Sequence, residues 1–171
     1  MPRGFHCATF WQPQDTALAA DEPGGFLVVS CGLGFEPEGD GEEPEPPFGA
    51  QPAVLGDVWL YSTSSSQWSQ LPSELPESAR RSRAAASIVR DCLVLSGGCG
   101  LPEGEHWLSP GVPFHDIWVL NLADAYLRTP ALWERCTLPS DHVARPKHTQ
   151  ATACPMFGGA ALLIFGGFDP S

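Results

Sequence analysis

Three stretches decide how this chain folds: Phe26-Leu27-Val28-Val29-Ser30-Cys31-Gly32, Cys92-Leu93-Val94-Leu95-Ser96-Gly97-Gly98, and Leu162-Leu163-Ile164-Phe165-Gly166-Gly167. Each is a short apolar run, the length of a buried strand, closed by a glycine step. Paired glycines permit a turn or a close backbone approach that a Cβ would block. The closing glycines stand 66 and then 69 residues apart. Recurrence of this kind marks a repeated supersecondary unit.

Downstream of the first two steps come Gly56-Asp57-Val58-Trp59-Leu60-Tyr61 and His115-Asp116-Ile117-Trp118-Val119-Leu120. Both alternate as half-buried strands do and carry tryptophan at the same place. A second tryptophan follows in each, in Trp68-Ser69-Gln70-Leu71 and Trp133-Glu134-Arg135-Cys136. Upstream of the glycine strands stand Arg3-Gly4-Phe5-His6 and Arg145-Pro146-Lys147-His148, weakened to Arg83-Ala84-Ala85-Ala86 in the middle unit. The unit is therefore four strands: Arg-x-x-His, glycine-ended, Asp-aliphatic-Trp, and second Trp.

This order resembles the kelch repeat, with its glycine pair after the second strand and spaced aromatics in the third and fourth. The similarity covers almost the whole chain. Cys31 departs from the glycine pair, Ala86 from the histidine, and the units exceed the usual length of about 50 residues. The resemblance implies an all-β fold, an incomplete kelch-type β-propeller of four-stranded antiparallel blades over residues 1–171. Blade units fall at roughly 3–72, 81–136 and 145–171, the last incomplete, with an acidic Pro/Gly-rich insertion at 35–54. The expected core is Val28, Val29, Val58, Trp59, Leu93, Val94, Ile117, Trp118, Leu163 and Ile164, with Trp68 and Trp133. Propellers close with about 4–8 blades, so the remaining blades are expected in cis or from another chain.

Composition agrees with an all-β chain. The 171 residues are 43% hydrophobic and 17% charged, enough for a core, and 18 Gly with 18 Pro punctuate short segments. Nine basic against 20 acidic residues leave a net charge of −11, which repels phosphate backbones and disfavours nucleic acid as a partner. The six cysteines (Cys7, Cys31, Cys92, Cys99, Cys136, Cys154) form no C-x-x-C pair, and read as buried free thiols of a reducing compartment. The first residues lack an apolar secretory core, and no run reaches the ~18 apolar residues of a membrane span. The expectation is an intracellular chain, cytoplasmic or nuclear, with no membrane partner.

In an up-and-down sheet the second-to-third and fourth-to-first connections open on one face. The first long connection there, Leu33 to Leu55, carries Glu36, Glu38, Asp40, Glu42, Glu43 and Glu45 and no basic residue. Two readings stand: a fringe of a partner site, or a solubilising insertion. The second, Gly100 to Phe114, carries Glu103, Glu105, His106 and Trp107; Trp107 is either tucked on the blade or an interface anchor. The same face receives Arg80, Arg81 and Arg83, and Arg145 with Lys147. Kelch propellers of ubiquitin-ligase adaptors grip peptides with such loops, so these arginines are candidates for reading an acidic peptide. Against this, the repeat position of Arg83 and Arg145 suits packing between blades, and His6 and His148 read as structural.

The candidate partner-binding residues are thus Arg80, Arg81, Arg83, Glu103, His106, Trp107 and Arg145. Catalytic chemistry is thin. No H-x-x-x-H, H-E-x-x-H or G-x-S-x-G pattern occurs, and Gly97-Gly98-Cys99-Gly100 lacks the Lys-Ser/Thr of a phosphate cradle. Copper chemistry of the galactose-oxidase kind needs tyrosine and histidine ligands, and only Tyr61 and Tyr126 are present. No cofactor, metal or catalytic residue is expected. The expected function is a non-catalytic protein-interaction scaffold, a substrate-recognition or assembly module of a larger protein. The alternative is part of an enzyme whose catalytic residues lie in other blades or domains.

Overall fold

The computed structural model describes residues 3–35, 52–102, 105, 109, 111–127, 131–136, 149–159 and 161–168. Its first unit runs β1 (Arg3–Gly4), β2 (Cys7–Trp11), α1 (Thr16–Asp21), β3 (Phe26–Ser30), β4 (Leu33–Phe35), β5 (Pro52–Val54), β6 (Val58–Ser62) and β7 (Gln67–Gln70). The second runs β8 (Ala85–Val89), β9 (Cys92–Ser96), β10 (Cys99–Gly100), β11 (Val112–Pro113), β12 (Ile117–Asn121), α2 (Leu122–Leu127) and β13 (Glu134–Cys136). The third contributes β14 (Thr149–Met156) and β15 (Ala161–Phe168). The fold is mostly β.

Two four-stranded antiparallel sheets form, β2-β3-β6-β7 and β8-β9-β12-β13, beside the two-stranded β14-β15. Their registers repeat: Val29 pairs with Trp59 as Leu95 pairs with Trp118, and Ala8 pairs with Val29 as Ala86 pairs with Leu95. The connection after each of the first two glycine steps is itself a hairpin, β4-β5 in the first unit and β10-β11 in the second.

The glycine step works as its composition demands. Cys31 and Gly32, Gly97 and Gly98, and Gly166 and Gly167 all have positive φ. A Cβ on Gly32, Gly98 or Gly167 would stand 2.8, 2.6 and 2.6 Å from the carbonyl oxygens of Gly4, Ser82 and Thr149. Only glycine fits there. Cys31 takes φ 61° with a full side chain, a conformation non-glycine residues rarely hold, and its thiol is wholly buried.

That geometry also corrects the strand alignment. Phe5, Arg83 and Gln150 share a φ of 53 to 59°, and the Arg83 N–H donates to Phe5 O while the Gln150 N–H donates to Arg83 O. These three are equivalent, so Arg3 corresponds to Arg81, not to Arg83, and His6 to Ala84 and Ala151.

Alternation gives each sheet two faces. In the first sheet Cys7, Trp11, Phe26, Val28, Ser30, Val58, Leu60 and Ser62 point to a rear face and are buried. The second sheet lays its front face there, with Leu93, Leu95 and Leu120 at 0% exposure, and both sets join one core cluster. Burying such a leucine contributes about 1.5–3 kcal/mol. The Trp11 indole N–H reaches across to Asp91 at 2.9 Å, and β14 packs on β8.

The expected core is met at Val28, Val58, Leu93, Val94 and Trp133, which are buried. Val29, Trp59, Ile117, Trp118 and Ile164 are only half-buried. Trp68 and Leu163 are corrections: they are 52% and 51% exposed, because the faces that carry them have no neighbour among the described residues. All six cysteines are free; Cys7, Cys31 and Cys99 are buried, Cys92 is intermediate, and Cys136 and Cys154 are exposed, contrary to expectation.

Candidate functional site

Two constructions stand at the hairpin-bearing side of the sheets. One is a buried ionic bracket. Arg3 donates to Asp57 Oδ1 and Oδ2 at 2.8 and 2.7 Å and to Cys31 O at 3.3 Å. Arg81 donates to Asp116 Oδ1 and Gly97 O, both at 2.9 Å, and its Nε to Ala79 O at 2.8 Å. In each unit the tryptophan two residues after the aspartate donates to the same carboxylate, Trp59 at 2.7 Å and Trp118 at 2.8 Å. The bracket thus pins the turn of the glycine step to the third strand. Burial opposes ionisation of Asp57 and Asp116, yet the arginine and tryptophan donors, with Arg135 beside Asp116, hold both carboxyls below the ordinary aspartate range.

The second construction is a groove of about 570 Å³ between the two hairpins. Pro52, Ala53 and Val54 of β5 form one wall. Gly100, Leu101, Pro102, Val112 and Phe114 form the other, with Glu77 and Arg80 between them. Among the described residues no strand pairs with the outer edge of β5 or of β11. Arg80, its side chain 36% exposed, is held at 3.2 Å by Glu74, itself 47% exposed. Phe114 ties the groove to the bracket, since the Arg81 guanidinium lies 4.3 Å from its ring centroid.

The candidate arginines therefore separate. Arg80 lines the groove. Arg81 has no exposed surface and serves the bracket. Arg83 is half-buried 4.4 Å over the Phe5 ring and donates to Ser109 O at 3.2 Å. Glu103, His106, Trp107 and Arg145 lie outside the described residues, as do His148 and the acidic run 36–51. His6 is exposed. The sequence reading missed the bracket. Its signal was present, an aspartate two places before each third-strand tryptophan, but the arginine partner was obscured by the two-residue slip in alignment.

Burial raises the Cys7 thiol to about 12 and drives Cys31 still higher, so neither is a ready nucleophile. Among the described residues no group of His, Cys, Asp and Glu is placed to hold a metal ion, and no helix is long and apolar enough to cross a membrane. The chain matches no known family model and no curated protein.

Proposed function

We propose that this chain is a segment of a kelch-type β-propeller and acts as a non-catalytic protein-interaction scaffold that takes a peptide segment of its partner in the hairpin groove. The repeated register, the glycine step at three places and the sheet-on-sheet packing support the propeller reading. The groove itself carries the functional reading. It joins apolar walls, two strand edges that pair with no other strand among the described residues and one accessible guanidinium, the combination that binds an extended chain bearing a carboxylate. Partner backbone pairs with the edge of β5 or β11, proline and aliphatic side chains fill the walls, and Arg80 exchanges Glu74 for the incoming acid. Free thiols, two of them exposed, favour a reducing intracellular compartment.

A photo-crosslinking residue at Val112, which is 57% exposed, tests this in cells. A discrete partner should be captured from Val112 and not from Ser64, at the β6–β7 turn, and Arg80→Glu should abolish capture. Capture equal at both positions, or unaffected by the charge reversal, refutes the groove.

A further inference from the structure

The two outer faces of the sheet stack match each other. Among the described residues the sheets stack by one rule: a rear face receives the front face of the next sheet. The rear of the first sheet covers Leu93, Leu95 and Leu120 of the second. The third sheet presents Leu162 and Ile164, half-buried, on its front face, and β14 and β15 lie beside β8.

Two faces are left over among the described residues. The front of the first sheet carries Phe10, 53% exposed, and Trp68, 52% exposed, beside the half-buried Leu27, Val29 and Tyr61. Trp68 stands where the second sheet has Trp133, which is only 9% exposed because a rear face covers it. The rear of the third sheet carries Leu163 and Phe165, 51% and 73% exposed. Leu163 stands where the first two sheets have Val28 and Val94, at 1% and 9%. The outer edge of β15, which in the other units pairs with the Asp-aliphatic-Trp strand, likewise pairs with no strand among the described residues. Exposed apolar faces of this kind are association sites.

We infer that the free rear face of the third sheet binds the free front face of the first sheet in a second copy of this chain. The occupant follows from repeat equivalence: the first sheet offers the surface that already packs on rear faces within the chain, in the same register. The contact is heterologous, head to tail, so copies add in one direction until a ring closes or the array runs on. This surface is separate from the groove; the inference rests on the repeated-sheet reading above and not on the groove.

Sedimentation of the full chain over a concentration series tests it, with Phe10→Glu blocking one face and Phe165→Glu the other. Both positions are exposed, and thermal melts of the variants establish that they fold. The wild type should associate with concentration, and each variant alone should remain a monomer. Mixing the two should give a species of twice the chain mass that grows no further, because each partner supplies one intact face. A monomeric wild type, variants that still self-associate, or a mixture without the pair overturns the inference. So does a longer form of the chain that stays monomeric with Phe10 and Phe165 protected from solvent, which would mean that further sheets in cis cover these faces.

Discussion

Arg81 and Arg80 are neighbours in sequence with opposite fates. Arg81 turns inward, where Asp116 and two backbone carbonyls accept from its Nε and Nη1; Arg80 lies along the groove with Glu74 at its tip. A buried ion pair is a weak source of net stability, but losing one partner leaves a charge uncompensated, at a cost of about 3–5 kcal/mol. The bracket also makes stability depend on acid. Asp57 and Asp116 have lower pKa values folded than unfolded, so their contribution is complete above the unfolded value of about 3.9 and is lost as pH falls through the folded values. The melting temperature should therefore drop steeply below about pH 4. Asp116→Asn should lower it at pH 7 and flatten that acid limb. An unchanged acid limb in the variant would show that the bracket is not its source.

At the scale of elements, the glycine step does most to set the architecture. Two successive left-handed residues turn the chain out of the second strand, with the second glycine pressed against a carbonyl at the start of the same unit, that of Gly4, Ser82 or Thr149. Gly98→Ala should cost about 2 kcal/mol or more in urea unfolding, from the strained φ and the 2.6 Å approach to Ser82 O. Gly158, also at positive φ but with open space around its missing Cβ, should lose only about 1 kcal/mol on the same change. Equal losses at both positions would remove the close approach as the reason for glycine. The four strands of the unit were legible because alternation and aromatic spacing are local. Helix α1 was not read, although Asp15 before an alanine-rich run is an N-cap signal, and the Asp15 carboxylate does accept from the Ala17 and Leu18 N–H groups. Helix α2 is a single short run after β12, below the length at which periodicity speaks.

Across the whole molecule, burial follows neighbours rather than residue type. Trp68 and Trp133 occupy one repeat position and differ from 52% to 9% exposure. Backbone protection should show the same gradient. Strands β3 and β9 are paired on both sides and packed on both faces or one, whereas β7, β13 and β15 have one edge that no strand pairs with among the described residues. Hydrogen exchange on dilute protein should be slowest in β3 and β9 and fast in β15. Protection of β15 that rises with concentration would place the second copy at its edge. Protection as strong as that of β9 at all concentrations would mean that this edge is already paired.

Period, strand order and the need for glycine were determined by the linear chain alone, because each depends on local sterics and on side chains alternating about one backbone. Which arginine pairs with which aspartate, which tryptophan is covered, and where the hairpins leave a groove were decided only in three dimensions. Partners such as Arg81 and Asp116 are far apart in sequence and meet only when the sheets pack, and a face is buried only if another sheet arrives to cover it.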